Sequence, residues 1–346
     1  MTHFAIIWGR ASKSRRATVG VVLLAILALI GIFAELIAAP APIFALGPRG
    51  LSLLPAITTA EAYEDLSPAA IEERHGQGSA LWPIIRFGPT TISAAGPHAP
   101  SSRAHPLGTD EKGRDLAARL VYGARTALVL SVGAVAIGML LGVALGGLAG
   151  AYRVWNDVLV RLIETVDTFP AIIIVALVRA IEREPSALSL VIAVALVRWA
   201  EVARLTRAMV LRASTEDYVL AARALGSTPR RIFWRHMLPN AIGPVVVSSV
   251  FGVASVVLLE AAISFLGMGA PTRAASWGET LAEGARSPEH LRLILLPTLA
   301  LLITMGGSYV LADALRDAMD PRVVRKRKAD LGTDSPLSMV WQGRRR

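Results

Sequence analysis

The sequence contains no cysteine, only six histidines, 6% aromatic residues and 18% charged residues among its 346 positions. Without cysteine there are no disulfides and no thiolate metal sites. No G-x-x-x-x-G-K-[ST] phosphate loop is present, so the chain lacks the usual means of binding ATP itself. The charge content is also low, since soluble domains average about 25%. What is abundant is apolar: 53% of the residues are hydrophobic. Several apolar runs approach the roughly 20 residues that cross about 30 Å of hydrocarbon. A polytopic membrane protein follows. Its net charge of +10 therefore speaks first to topology and not to nucleic acid.

Uncharged runs cover 17–34, 126–152, 237–259 and 293–312, each long enough to cross. Residues 1–16 are basic and precede the first run, as in a signal peptide. No small-residue cleavage site follows, so the run reads as an uncleaved span. Two shorter runs, 168–178 and 185–197, are separated by Arg179, Glu182, Arg183 and Glu184. Those charges fit a tight turn at the far membrane face, with Pro185 and Ser186 opening the next helix. Counted as two crossings they complete an all-α fold of six transmembrane helices; a single buried hairpin that never crosses is the alternative.

Orientation follows from the basic residues. With the N-terminus inside, segments 1–16, 152–166, 204–240 and 314–346 hold 22 of the 36 Lys and Arg, while 35–125 holds eight against nine acids. Both termini are then cytoplasmic. The chain divides into an N-terminus with the first helix (1–39), an outside segment (40–123), a transmembrane domain (124–313) containing the cytoplasmic loop 206–240, and a basic tail (314–346). Residues 40–106 are rich in Ala, Pro, Ser and Gly, with helical period only over 60–74. A small ordered cap and a partly disordered loop both fit that composition.

Three features carry mechanism. Gly138, Gly142, Gly146 and Gly150 recur every four residues, which lines them along one helix face and predicts a tight helix–helix interface. Arg198 lies inside the fourth span; it either faces a translocation path or is packed and paired with Glu201. The third is the basic stretch YVLAARALGSTPRRIFWRHMLPNAI, Tyr218 to Ile242. Ser214-Thr-Glu-Asp217 reads as a capping box that starts a helix near Thr215. Gly226 ends that helix, and Thr228 with Pro229 opens a second. The second carries Ile232, Phe233, Met237 and Leu238 against Arg230, Arg231 and Arg235, and Pro239 marks the return to the bilayer. Two short helices meeting at a glycine form a knob that can pass a push into the membrane. An amphipathic hairpin resting on anionic headgroups is the alternative.

This stretch resembles the EAA motif of permease subunits in ABC importers. Ala221, Ala222, Gly226, Leu238 and Pro239 fall in register, and His236 takes the isoleucine position as in the R-H-x-L-P-N form of the peptide-importer branch, matched by Arg235 to Asn240. Leu220 stands where the family usually has glutamate. HPLGTDEKGRDLAARLVYGAR, His105 to Arg125, is similar to the approach to the second span in C-type subunits of the dipeptide, oligopeptide and nickel permeases. From its own residues, Thr109 is a reasonable N-cap, and Leu116, Leu120 and Val121 share one face, so the stretch should lie along the outer surface. EAAISFLGMG, Glu260 to Gly269, with Ser276-Trp277-Gly278, resembles the loop after the fifth span. Residues 81–93 are similar to a segment of microcin-type peptide permeases.

The resemblance implies the type I importer permease fold and a bacterial inner-membrane location. It also implies a second permease as heterodimer partner, two ATPase subunits carrying ATP and Mg, and a periplasmic substrate-binding protein. This chain would bind no cofactor and catalyse nothing. Ala221, Ala222, Gly226, Arg230, Phe233, His236, Leu238 and Pro239 would dock in a groove of one ATPase. The cargo would be peptides, with nickel or another small solute as the alternative. His75, His98 and His105 lack ligand spacing and read as solvated or structural, with no metal site. A secondary transporter would need inverted-repeat halves, which are not visible. A membrane enzyme would need paired carboxylates, a metal cluster or a nucleophile–base set, and none is legible.

Overall fold

A computed structural model of the chain describes residues 9, 11–12, 14–47, 50–53, 55, 70, 79–269 and 274–319. The stretch 60–74, His75 and the tail beyond 319 thus lie wholly or almost wholly outside the described residues. In chain order the elements begin with α1 (Arg15–Ile32) and the single turn α2 (Ala34–Ile37). Three short strands follow: β1 (Phe44–Gly47), β2 (Gly50–Leu53) and β3 (Ser79–Leu81). They pair antiparallel in the order β2-β1-β3, with Phe44 opposite both Leu53 and Leu81. The segment 40–123 therefore carries a small sheet, which corrects the all-α expectation. Its strands are three or four residues long, too short to leave a period-2 pattern in an Ala- and Pro-rich sequence.

The helical body comprises α3 (Leu116–Ala151), α4 (Arg153–Thr168), α5 (Ala171–Ile181), α6 (Ala187–Ser214), α7 (Asp217–Ala224), α8 (Pro229–Ile232), a π-turn (Phe233–Met237), α9 (Leu238–Phe265), α10 (Trp277–Arg286) and α11 (Arg292–Met319). Four helical runs among the described residues are long and apolar enough to cross a membrane: Arg15–Ile32, Leu116–Ala151, Pro229–Phe265 and Arg292–Met319. The α5–α6 hairpin is not among them: α5 has 11 residues, and α6 carries Arg198, Glu201 and Arg204 along its length.

Two local expectations change. Thr109 does not cap a surface helix; its hydroxyl donates to the Gly96 carbonyl and accepts from the Ala99 N–H. Asp115 is the cap, accepting from Ala118 N at 2.7 Å, and α3 then runs 36 residues without a break. The stretch 152–166, read as an inside segment, is helical too. α4 packs Leu159 and Ile163 inward, with Ile163 against Trp199, Ala200 and Ala203 of α6. Pro170 separates α4 from α5, since a proline interrupts the helix before it. The α5–α6 turn forms as expected: Ser186 and Ser189 build a reciprocal capping box. Arg179 is buried there, donating to Glu182 at 2.6 Å, to Ser189 Oγ at 3.0 Å and to the Met268 carbonyl at 3.1 Å.

The bundle closes through small residues. α3 and α6 share the most extensive interface, and α9 packs on both α11 and α3. α11 meets α1 at Gly20, where a Cβ would sit 2.8 Å from Leu311 N. Leu130, Val175, Leu190, Val194, Val256 and Ile263 fill the core between α3, α5, α6 and α9.

At the N-terminal end of α3, the loop 88–115 is fastened by buried polar groups. Arg114 and Arg119 meet Asp110, Glu279 and Glu283: Arg114 Nε lies 2.7 Å from Asp110 Oδ2 and Arg119 Nη2 3.1 Å from Glu279 Oε2. Burial opposes the Arg114 charge, but Asp110, Glu283 and Glu279 hold its pKa above the ordinary value. Burial pushes the Glu283 carboxyl up; Arg119 draws it down, Asp110 repels it, and Arg114 and Glu279 add smaller opposing effects. Trp277 donates its indole N–H to the Leu120 carbonyl, and its ring packs on Gly123. Gly278 passes so close to α9 that a Cβ would lie 2.1 Å from the Ala261 carbonyl oxygen. The Glu260 carboxylate accepts from Ser264 at 2.7 Å and Ser276 at 2.8 Å. The two stretches singled out by resemblance, 105–125 and 260–278, are thus the two halves of one clasp.

Candidate functional site

The basic stretch folds into a knob continuous with the membrane helices. Its start differs from the expected capping box: Ser214 is the last residue of α6, Glu216 precedes α7, and no side chain caps that end. The competing force is α6 itself, whose helical register continues through Ser214. The knob's middle follows the reading closely. Gly226 has φ +77°, Ser227 N bonds the Ala222 carbonyl and Gly226 N bonds the Arg223 carbonyl. This crossed pair of bonds ends α7 in the way that favours glycine. Thr228 then caps α8 through Arg231 N, with Pro229 in the first turn.

Pro239 does not end the second helix. Pro229–Phe265 is one helical run whose register loosens at the π-turn Phe233–Met237. The Leu238 N–H reaches back five residues to the Phe233 carbonyl. Pro239 has no N–H to give the Arg235 carbonyl, so the wider turn sits where an α-helical bond is already missing. The knob is therefore the root of α9 and not a separate hairpin.

Inside the knob, Val219, Ala222, Ile232, Phe233, Met237 and Leu238 form an apolar core shared with Val210 and Ala213 of α6. The Phe233 ring packs over Gly147 of α3. Of the residues grouped with the docking contacts, Ala222, Phe233 and Leu238 are buried in this core. Ala221, Gly226, Arg230 and Pro239 are exposed, and His236 is half-buried. Sequence reasoning missed two features. Asn240 donates to the Tyr218 hydroxyl at 3.1 Å and to the His236 carbonyl at 2.7 Å, tying α7 to the root of α9. Leu220, Leu225 and Trp234 stand exposed among Arg223, Arg230, Arg231 and Arg235, all exposed as well. Leu220, at the glutamate position of the motif, is one of these exposed apolar residues.

The four glycines of α3 face α6. A Cβ would lie 3.0 Å from Arg198 Cβ at Gly138, 2.5 Å from Val202 Cβ at Gly142, 2.2 Å from the Ala203 oxygen at Gly146 and 2.9 Å from Val210 Cβ at Gly150. This close approach seats Arg198 deep in the bundle, with its guanidinium against Gly252 of α9. The pairing with Glu201 is present, and Arg198 also borders a cavity of about 480 Å³ between α4, α5, α6, α9 and α11.

Among the described residues no group of three or more His, Asp or Glu could hold a metal ion. One constellation resembles catalytic machinery: Ser93 Oγ lies 2.7 Å from His105 Nε2, and His105 Nδ1 lies 2.8 Å from Asp115 Oδ2. All three are buried, Ser93 Oγ also accepts from Ala95 N, and Asp115 caps α3. With all three groups buried and engaged in holding the loop, the series reads as a structural tie. Separations of 12 and 10 residues in a loop left no signal for it in the sequence.

Residues 135–325 match the family model described as "binding-protein-dependent transport system inner membrane component". Among curated proteins, the chain is similar to the dipeptide transport system permease protein DppC of Alkalihalophilus pseudofirmus, 34% identical over 64% of this chain and 73% of that protein. It is similar to the oligopeptide transport system permease protein OppC of Bacillus subtilis, 32% identical over 69% of this chain and 78% of that protein. It is also similar to the glutathione transport system permease protein GsiD of Pectobacterium atrosepticum, 36% identical over 64% of this chain and 74% of that protein.

Proposed function

The chain belongs to the family of binding-protein-dependent transport system inner membrane components, and from that premise we propose that it is the permease subunit of an ATP-driven peptide importer. It forms part of the substrate path and hydrolyses nothing. Its partners are a second permease, two ATPase subunits that carry ATP and Mg, and a periplasmic binding protein. In this reading α5 and α6 supply the third and fourth of six crossings, both termini are cytoplasmic, and the membrane is the bacterial inner membrane. The clasp of loop 88–115 and α10 then lies on the periplasmic side.

One observation carries the coupling role: the knob shares its core with α6 and α9 while its tip stays uncovered. The exposed Leu220, Leu225 and Trp234, in a segment that also exposes Arg223, Arg230, Arg231 and Arg235, suit a partly apolar, partly acidic groove on an ATPase subunit. Because Val219 and Ile232 pack with Val210 of α6 and Ala241 of α9, a displacement of the tip is carried into both helices. Packed cores transmit strain where a slack loop would absorb it.

The test is ATP-driven peptide uptake in proteoliposomes containing the co-purified partner subunits, comparing wild type with Gly226→Val. The substitution meets no neighbour within 4 Å, so it acts through backbone strain alone. A β-branched residue at φ +77° costs at least about 1–2 kcal/mol. Uptake and stimulated ATP hydrolysis should fall together while the chain still inserts and purifies. Unchanged uptake would return the knob to the lipid-surface reading.

A further inference from the structure

The cavity beside Arg198 has two unlike walls. Four charged groups of α4 and α6 lie on one side. Arg198, Glu201 and Arg204 recur every three residues along α6, and Asp167 closes the row from the end of α4. They are joined as two ion pairs, Arg198–Glu201 and Arg204–Asp167. The facing wall, from α5, α9 and α11, is mostly apolar and includes Leu258, Leu259, Met305 and Tyr309. At about 480 Å³ the cavity is within the range that holds a small organic ligand.

We propose that this cavity is a binding site for the two charged termini of a short peptide, the carboxylate meeting Arg198 and the ammonium meeting Glu201. This rests on the importer reading above and adds to it a site and a basis for selection.

The argument is one of charge conservation in a poorly solvated place. The Arg198 side chain is only 10% exposed and Glu201 is its partner, so a ligand that drew Glu201 away and offered Arg198 nothing would strand a buried charge. Leaving one member of a buried pair alone is far costlier than keeping the pair. A monocation would leave the buried Arg198 unpaired, the costly case; a monoanion would leave Glu201, which is half-exposed, without its partner at a smaller cost. A zwitterion exchanges one pair for two and strands nothing. The Glu201 side chain is 46% exposed, which leaves it free to turn toward an incoming ammonium. The second pair, more exposed at 61% for Arg204 and 27% for Asp167, can accept a longer chain by the same exchange. The apolar wall makes no demand on side-chain identity beyond size. Such a site discriminates free termini from blocked ones and is indifferent to sequence.

The experiment uses the reconstituted complex and three probes: trialanine, N-acetyl-trialanine amide, and a tripeptide carrying photoreactive benzoylphenylalanine. Photolabelling should fall on Met305, Tyr309 or Leu258. Trialanine should compete with it at least about tenfold better than the blocked tripeptide, as expected when charge-assisted bonds at both ends are lost. In the double variant Arg198→Gln with Glu201→Gln, which leaves no stranded charge, that ratio should fall toward one. The single variant Glu201→Gln keeps Arg198 for the carboxylate and loses only the partner of the ammonium, so its ratio should lie between those of the wild type and the double variant. Labelling elsewhere, or a cavity that stays unlabelled because the second permease fills it, overturns the assignment. An unchanged ratio in the double variant also overturns it. If ATP-driven trialanine uptake persists in any of these cases, the importer reading survives the loss of the site. If the complex transports no peptide at all, the importer reading falls and the site with it.

Discussion

Replacing Gly146 with alanine is the most direct test of how α3 and α6 are held together. A Cβ there would lie 2.2 Å from the Ala203 oxygen and 2.7 Å from its Cα, both backbone atoms of a facing helix. No rotamer change can relieve that clash, so the helices must separate by about an ångström to reach ordinary contact. Overpacking of this kind costs about 1–3 kcal/mol. Against it stands the gain of alanine over glycine inside a helix, about 0.5–1 kcal/mol. The net expectation is a loss of up to about 2 kcal/mol. Gly306 of α11 has nothing within 4 Å of its built Cβ, so Gly306→Ala should show the propensity gain alone. Gly138→Ala, with 3.0 Å to the Arg198 Cβ as its nearest approach, should fall between them. The assay is reversible unfolding in mixed micelles with SDS titration, followed by tryptophan fluorescence. Equal stability of Gly146→Ala and Gly306→Ala would refute the close-packing argument.

Other perturbations probe separate parts of the molecule. Asp115→Ala removes both the α3 cap and the partner of His105; it should cost at least about 1 kcal/mol and speed amide exchange in 105–119. Arg114→Met removes the guanidinium 2.5 Å from the buried Glu283 and leaves Asp110, Glu279 and Glu283 to share Arg119 alone. A loss of about 3–5 kcal/mol is expected, readable as reduced yield of folded protein, and Arg114→Met with Glu283→Leu should recover most of it. Asn240→Ala cuts the 3.1 Å bond to Tyr218. This exposed bond contributes about 0.5–1.5 kcal/mol at most, so overall stability should barely move while uptake per ATP hydrolysed falls; Tyr218→Phe should behave the same way.

The four long helical runs were legible because a bilayer-length stretch without charge has few other fates. The stop at Gly226 and the start at Thr228-Pro229 were legible for a local reason as well. A positive φ and a missing N–H are demands that a handful of residues meet, wherever the chain goes next. The glycine period on α3 likewise announced a close neighbour. It did not name α6 as that neighbour, because any smooth helix face would produce the same spacing.

What escaped the sequence is what depends on elements far apart in it. Ser214 belongs to α6 and not to a cap because a helix already under way continues at little cost, whereas a new one must be nucleated. Ser93, His105 and Asp115 meet only because loop 88–115 folds back on itself, and Arg114 meets Glu283 across 169 positions. That Leu238 and Phe233 lie in the knob's interior was likewise settled by packing against α3 and α6. The sequence alone determined a multi-span membrane protein with a glycine-broken basic segment, since hydrophobic length and backbone constraint act locally. Which charges share the cavity beside Arg198, and which of the knob's residues are left for a partner, was decided only when helices distant in sequence packed and buried the rest.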